Sequence, residues 1–376
     1  MLPSHKHTPS GKLRARGAGV PFIGKPGPNN AITDVPGVEV GYCTLISGEG
    51  PLVVGQGPVR TGVTAIFPRG REHPEVAVYS GYFSMSGNGE MSGAAFIEER
   101  GRFDGPITIT NTHSCGITRD ATAQWMFNRL DPAKKSDQPF WLPVAAETFD
   151  GYLNDINGHH VKHEHVFAAF DDARSGPIEE GSVGGGTGMR CYEFKGGSGS
   201  ASREVVYADT TYHVGAFVQS NFGKRHLMTI AGIPVGLEIP VTSDDVGEYG
   251  SIIGVVATDA PMLPHQLNRV ARRAAYGIAR SGGIASNESG DLFLSFSTAN
   301  KEAVDTHTGL NSASFVGEAA MSAFYEATIQ AVDEAIMNSI FANQTMVGRD
   351  GNSIPGLPIE RVQKILLRHG RLTTID

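Results

Sequence analysis

A chain of 376 residues with 40% hydrophobic content can bury a large core, as one big domain or two intertwined halves. Its formal net charge of −8 argues against a nucleic-acid partner, which needs a basic face, and no run of 18 apolar residues exists to span a membrane. The 48 glycines follow no collagen-like period, so they point to tight turns and close backbone approaches.

Residues 1–20 are basic and polar, without the apolar stretch of a secretory signal. Cys43, Cys115 and Cys191 are scattered, with no CxxC. The expected setting is the reducing cytoplasm, with cysteines acting as small core residues. Residues 1–29 read as an N-terminal arm, mobile or lying on the surface. The single catalytic domain is expected over residues 30–376. Residues 31–41 predict a strand, a turn at Pro36-Gly37 and a second strand. Residues 61–67 and 75–79 read as further strands. A glycine-rich loop at 87–93 leads into a short helix or strand at 94–100. Residues 106–116 predict a strand meeting a polar turn, 120–130 a helix, and 143–147 a buried strand with one acid, Glu147, at its end. Residues 166–170, 211–219 and 229–237 are expected as strands, with a loop at 184–188 between them. Helical spacing then predicts helices over 263–281, with Gly282-Gly283 as the stop, over 317–343, and over 359–369. Residues 291–298 alternate like a strand. The sum is an α/β layered domain, strands stacked as sheets with helices outside.

The stretch with most chemical content is Asp244-Asp245-Val246-Gly247-Glu248-Tyr249-Gly250-Ser251-Ile252-Ile253. A polar, acidic segment with the composition of a cuttable loop runs into a β-branched strand, and a serine stands at the boundary. Ser251 could attack the carbonyl of Gly250, where no side chain obstructs the approach. Hydrolysis of the ester would leave Ser251 as a new N-terminus carrying a hydroxyl and an amine. That amine, with an ordinary pKa of about 7.7–8.0, can act as base for its own hydroxyl. Read alone, the serine is more simply a plain strand-start residue.

Other motifs carry less. Gly184-Gly185-Gly186-Thr187-Gly188 lacks the ending of a phosphate loop and reads as a close-packed turn. His163 and His165 would share a strand face but have no completing ligand, so no metal and no cofactor are expected. His113-Ser114-Cys115 allows a Cys/His pair, but in an apolar context that does not activate a thiol. Ser289-Gly290-Asp291 presents a hydroxyl and a carboxylate two residues apart, so Asp291 can orient Ser289 for a proton relay, or the three can form an ordinary turn. Asn221, just past a strand, can donate to an oxyanion. A buried Glu147 would suit a substrate ammonium.

These stretches together resemble the L-aminopeptidase/D-esterase-amidase family (DmpA-like), which includes the β-peptidyl aminopeptidases. The likeness rests on Asn30 to Val38, Asn88-Gly89-Glu90-Met91, Asn111-Thr112-His113-Ser114, residues 147–155, the glycine loop, Asn221-Phe222-Gly223, Gly250-Ser251, and the segment from Ser289 to Asn300. The resemblance implies a four-layer α-β-β-α sandwich similar to N-terminal-nucleophile hydrolases, with the connectivity of ornithine acetyltransferases. It also implies self-cleavage into an α chain, 1–250, and a β chain, 251–376, that stay associated, and a homo-oligomer, often four αβ units. The implied activity removes N-terminal L-, D- or β-amino acids from small peptides, amides and esters. By position, Ser251 becomes nucleophile, Asn221 oxyanion donor, Ser289 with Asp291 the relay, and Glu147 the anchor for the substrate amine. Phe149 stands where a tyrosine can help the oxyanion, and Asp291 where some relatives have glutamate. The alternatives are an acyltransferase of the ornithine acetyltransferase type, disfavoured by serine in place of threonine, and an uncut binding protein.

Overall fold

The computed structural model describes residues 2–240, 250–304 and 309–373. The acidic segment 244–249 that leads up to the expected cut at Gly250-Ser251 lies outside them. Along the chain come β1 (Glu39–Ser47), β2 (Val59–Phe67), β3 (Val78–Gly87), α1 (Ala94–Arg100), β4 (Arg102–Phe103), β5 (Ile107–Asn111), α2 (Cys115–Arg129), β6 (Val144–Thr148) and α3 (His163–Asp171). A short hairpin, β7 (Arg190–Cys191) and β8 (Phe194–Lys195), precedes β9 (Gly197–Tyr207) and β10 (Thr210–Asn221). Then follow β11 (Gly250–Thr258), α4 (Pro264–Ser281), β12 (Ser289–Ser297), α5 (Met321–Phe341) and α6 (Ile359–Arg368).

Two sheets stack face to face. One has the order β1-β2-β5-β6, the other β4-β3-β12-β11-β10-β9. Ile66, Ile109, Val144, Phe217, Ile253 and Leu294 fill the space between them. The outer face of the six-stranded sheet is covered by α4 and α5, and that of the four-stranded sheet by α2 and α3. The expected α-β-β-α layering is what forms. β11 and β12 are buried along their whole length and pair in parallel, which requires a crossover; α4 supplies it.

Several local expectations are corrected. Residues 166–170 are helical, in α3: the run Val166-Phe167-Ala168-Ala169-Phe170 suits either element, but Val166, Ala169 and Phe170 are buried at i, i+3 and i+4. Residues 229–237 form a bridge between Ile230 and Ile233 and a 3-10 turn, with Pro234 interrupting any ladder. Residues 32–34 make a 3-10 turn instead of a strand, and β3 starts at Val78, later than expected. β9 escapes a reading of its sequence because Gly-Ser-Gly-Ser-Ala-Ser has linker composition. Its small residues let α5 lie close: a Cβ on Gly199 would stand 2.1 Å from the Ala335 carbonyl oxygen.

The N-terminal segment is tied to the body of the fold by buried polar contacts. Arg14 is buried and forks onto Glu180 at 2.8 and 2.9 Å, and the Ala15 N–H donates to Asn338 Oδ1 at 3.0 Å. Glu334 of α5, fully buried, accepts from Arg16 Nε and Nη2 and from Arg203 Nη2, each at 2.7 Å, and from Asn30 Nδ2 at 2.6 Å. Burial opposes the Glu334 charge, yet Arg203 and Arg16 hold its carboxyl down to about 2. With the folded value below the ordinary 4.5, its contribution is present above pH 4.5 and is lost as pH falls toward 2. Glu334→Gln leaves two buried guanidinium groups without their carboxylate, an expected loss of about 3–5 kcal/mol at pH 7. Denaturant midpoints should show the gap between the wild type and the variant narrowing at pH 3.

Candidate active site

Ser251 is the second residue of β11, in the middle of the six-stranded sheet. Register and alternation fix what surrounds it. Asn221, the last residue of β10, lies directly opposite in the antiparallel β10–β11 pair, so both side chains share a face. Gln219 and Ile253, two residues away on the same strands, bond to Thr110 and Thr148 and fill the inter-sheet core respectively. That face therefore looks into the gap between the sheets. The Ser251 hydroxyl donates to the carbonyl oxygen of its own neighbour Gly250 at 2.6 Å and accepts the Gly290 N–H at 3.3 Å. Asn221 is held at both ends: Oδ1 accepts the Arg190 N–H and Nδ2 donates to the Phe149 carbonyl, each at 2.9 Å.

Glu147, near the end of β6, lies by alternation on the face opposite Val144 and Thr148, and it approaches the Ser251 end of the sheet through the loop at Gly89. It is 3% exposed, and its carboxylate accepts the Glu90 N–H at 2.9 Å and the Thr112 hydroxyl. Burial raises its carboxyl above the usual range, while those two hydrogen bonds pull it back. Between Glu147 and Ser251 stand two glycines. A Cβ on Gly89 would lie 3.1 Å from the Gly290 Cα and 3.4 Å from Glu147 Oε1. Side chains there would fill the path from carboxylate to hydroxyl. The side chain of Phe149 is partly exposed nearby; a phenyl ring has no hydrogen to offer an oxyanion, and this residue contributes its carbonyl instead.

Ser289 and Asp291 are joined by a 2.6 Å hydrogen bond from hydroxyl to carboxylate. Burial raises the Asp291 carboxyl to about 6, opposed by bonds from Ser289 and the Ile252 backbone. Their side chains lie on the other face of the sheet. In the parallel β11–β12 register Ser289 pairs with Gly250 and Asp291 with Ile252, which packs into the core beneath α4 and α5. The dyad thus flanks the Gly250–Ser251 peptide from the side away from the Ser251 hydroxyl. A relay through it meets the Ser251 nitrogen first.

The discarded motifs find structural uses. A Cβ on Gly185 would meet the Ile109 carbonyl oxygen at 2.4 Å, so the glycine loop is a close-packed turn threaded between the sheets. His163 and His165 lie on α3, not on a strand; His163 pairs with Asp120 at 3.0 Å and His165 accepts the Lys162 N–H at 3.0 Å. Among the described residues, no group of three or more His, Cys, Asp or Glu is arranged to hold a metal. Cys115 opens α2, donates to the Ala145 carbonyl at 3.3 Å, and is pushed up to about 12 by burial, the opposite of an activated thiol. The Gly290 and Arg190 N–H groups and Thr112 were not foreseen. Two are backbone donors with no sequence signature, and Thr112 matters only because the 3-10 turn after β5 brings its hydroxyl to Glu147.

This arrangement defines a serine hydrolase built on a variant of the N-terminal-nucleophile hydrolase sandwich. The chain belongs to peptidase family S58, whose model matches residues 30–354, and is a self-processing serine aminopeptidase of that family. It is 50% identical over 374 residues to the beta-peptidyl aminopeptidase BapA of Sphingosinicella microcystinivorans, covering 96% of this chain and 93% of that one. Among solved structures it superposes on the L-aminopeptidase D-Ala-esterase/amidase of Ochrobactrum anthropi with a TM-score of 0.88, at 43% identity over 96% of this chain and 99% of the other. A Burkholderia sp. beta-aminopeptidase superposes with a TM-score of 0.84, at 41% identity over 95% and 99%. Among the described residues, no helix is long and apolar enough to cross a membrane.

Proposed function

We propose that the chain cuts itself between Gly250 and Ser251 and then releases N-terminal residues, β-amino acids included, from short peptides, amides and esters through an acyl-enzyme on Ser251. The observation that carries this reading is the pairing of Ser251 directly opposite Asn221 across β10–β11, with the Glu147 carboxylate approached through Gly89, which touches Gly290. In self-cleavage the Ser251 oxygen bonds to the Gly250 carbonyl carbon, the peptide C–N bond breaks, and the hydroxyl proton passes to the nitrogen. Water then hydrolyses the ester, giving a Gly250 carboxylate and a free Ser251 amine. In turnover that amine takes the hydroxyl proton as the oxygen attacks the substrate carbonyl, and the leaving amine departs protonated. Ser289 and Asp291, beside the vacated Gly250 position, support the charge on the Ser251 nitrogen. The two polypeptides remain interlocked, because β11 and β12 lie between strands of the α chain on both sides. Assembly of αβ units into a homo-oligomer, and a cytoplasmic setting suited to three unpaired cysteines, belong to the same reading.

Glu147 supplies the requirement for a free amine. A substrate ammonium returns to it the charge stabilisation that burial withholds. Glu147→Gln should raise KM on the order of 10- to 100-fold while changing kcat far less, since a hydrogen bond to a charged partner is worth about 1.5–3 kcal/mol. The 50% identity to a β-peptidyl aminopeptidase favours β-aminoacyl substrates. Matched β- and α-aminoacyl p-nitroanilides test this directly: no release from any β-aminoacyl compound removes the β preference. Acyl transfer to an added amino acid in preference to water would favour the acyltransferase alternative.

A further inference from the structure

Asn221 is suspended between two backbone segments, and each segment carries a buried titratable side chain, Lys195 or Asp150, that the chemistry above leaves unused. The first segment is the β7–β8 hairpin, which offers the Arg190 N–H to Asn221 Oδ1. The second follows β6 and offers the Phe149 carbonyl to Nδ2. Together they decide which end of the amide carries the donors. Lys195, at the end of β8, has no exposed surface, and its Nζ donates to the carbonyls of Met189 and Gly196, both at 2.8 Å. Those two residues bracket the hairpin, and the Gly196 N–H also donates to the Met189 carbonyl at 3.0 Å. The ammonium therefore ties the neck of the hairpin directly behind Arg190.

Asp150 immediately follows Phe149 and is 1% exposed. Asn154 Nδ2 donates to its Oδ1 at 3.0 Å. Its backbone is pressed against the glycine loop: a Cβ on Gly188, next to Met189, would come within 2.9 Å of the Asp150 Cβ. Burial brings the Lys195 ammonium down to about 7 and the Asp150 carboxyl up to about 7, with attraction between them opposing the first shift. A hydrophobic side chain would close such a hairpin without this desolvation cost. A buried lysine on one segment and a buried aspartate on the other thus call for a reason beyond stability.

We propose that Lys195 and Asp150 are positioning residues for the Asn221 amide: Lys195 fixes the hairpin that presents the Arg190 N–H, and Asp150 seats the Phe149 segment against the glycine loop that leads into that hairpin. The inference rests on the reading of Asn221 as oxyanion donor. Lys195→Met keeps length and apolar volume while removing the charge and both donors. Per mole of processed chain, it should lower kcat on the order of 10- to 100-fold with KM within two-fold, a part of what one oxyanion donor contributes. In an Asn221→Ala background the same change should cost less than a further two-fold, because its effect passes through Asn221. A folded Lys195→Met enzyme with wild-type kcat, or a loss that persists in full without Asn221, overturns the proposal. Should Lys195→Met not fold, Asp150→Asn, nearly isosteric, must give the same kcat loss in the same two backgrounds, and a silent Asp150→Asn overturns it equally. Asn221→Ala alone separates the two levels: no kcat loss there removes the oxyanion reading itself, and this inference with it.

Discussion

Ser251→Ala is expected to give one uncut polypeptide with no measurable turnover. The hydroxyl is required twice, first against the Gly250 carbonyl and then against the substrate, and without the first event the amine that would serve as base never forms. Loss of a nucleophile typically costs on the order of 10⁶ in kcat. Here the residual rate should fall to that of solution, because the Gly250 residue also still occupies the position beside Ser289 that cleavage vacates. A denaturing gel reads the outcome: one band for the variant, and for the wild type two bands at roughly two-thirds and one-third of the length. N-terminal sequencing of the smaller wild-type band should begin Ser-Ile-Ile-Gly. Complete cutting of the Ser251→Ala chain would refute the assignment. Native mass should be nearly the same for both proteins, since strands of the α chain flank β11 and β12 on either side within one sheet.

How much of this was legible beforehand differs by element, and the differences have physical causes. β11 is read correctly because a strand buried on both faces is written as a continuous apolar run, β12 because its residues alternate, and α4 because its Gly282 stop takes the left-handed conformation, φ 101°, that closes a helix. β9 is invisible because its identity comes from what packs on it: Gly199 and its serine neighbours are small to admit α5, and smallness looks like a linker. The site divides along a similar line. Ser251, Asn221 and Glu147 stand at strand ends, and a strand end next to a polar residue shows in the sequence. Their arrangement does not, because it comes from pairing across β10–β11 and from the stacking of two sheets. The expectation that Ser289 and Asp291 sit beside the nucleophile holds in register but not in face. Two residues on adjacent strands can be neighbours while their side chains point to opposite sides of the sheet, and only the observed β11–β12 register reveals it.

Asn221→Ala should cost about 10²- to 10³-fold in kcat with KM little changed, the usual consequence of removing one preorganised oxyanion donor. The expectation follows from how little freedom the amide has. With Oδ1 taken by the Arg190 N–H and one hydrogen of Nδ2 given to the Phe149 carbonyl, the second hydrogen remains to meet an oxygen that develops charge near Ser251, directly opposite in the ladder. A donor fixed this way needs no reorganisation when the charge appears, which is why its loss falls on kcat and not on substrate binding. Phe149 heightens the dependence, since the ring at that position cannot share the role. Restoring a hydroxyl there, Phe149→Tyr, should recover part of the activity lost by Asn221→Ala if the ring reaches the oxyanion. Steady-state kinetics on processed enzyme decide the main point: an Asn221→Ala rate within three-fold of wild type would leave the tetrahedral oxygen to backbone N–H groups alone.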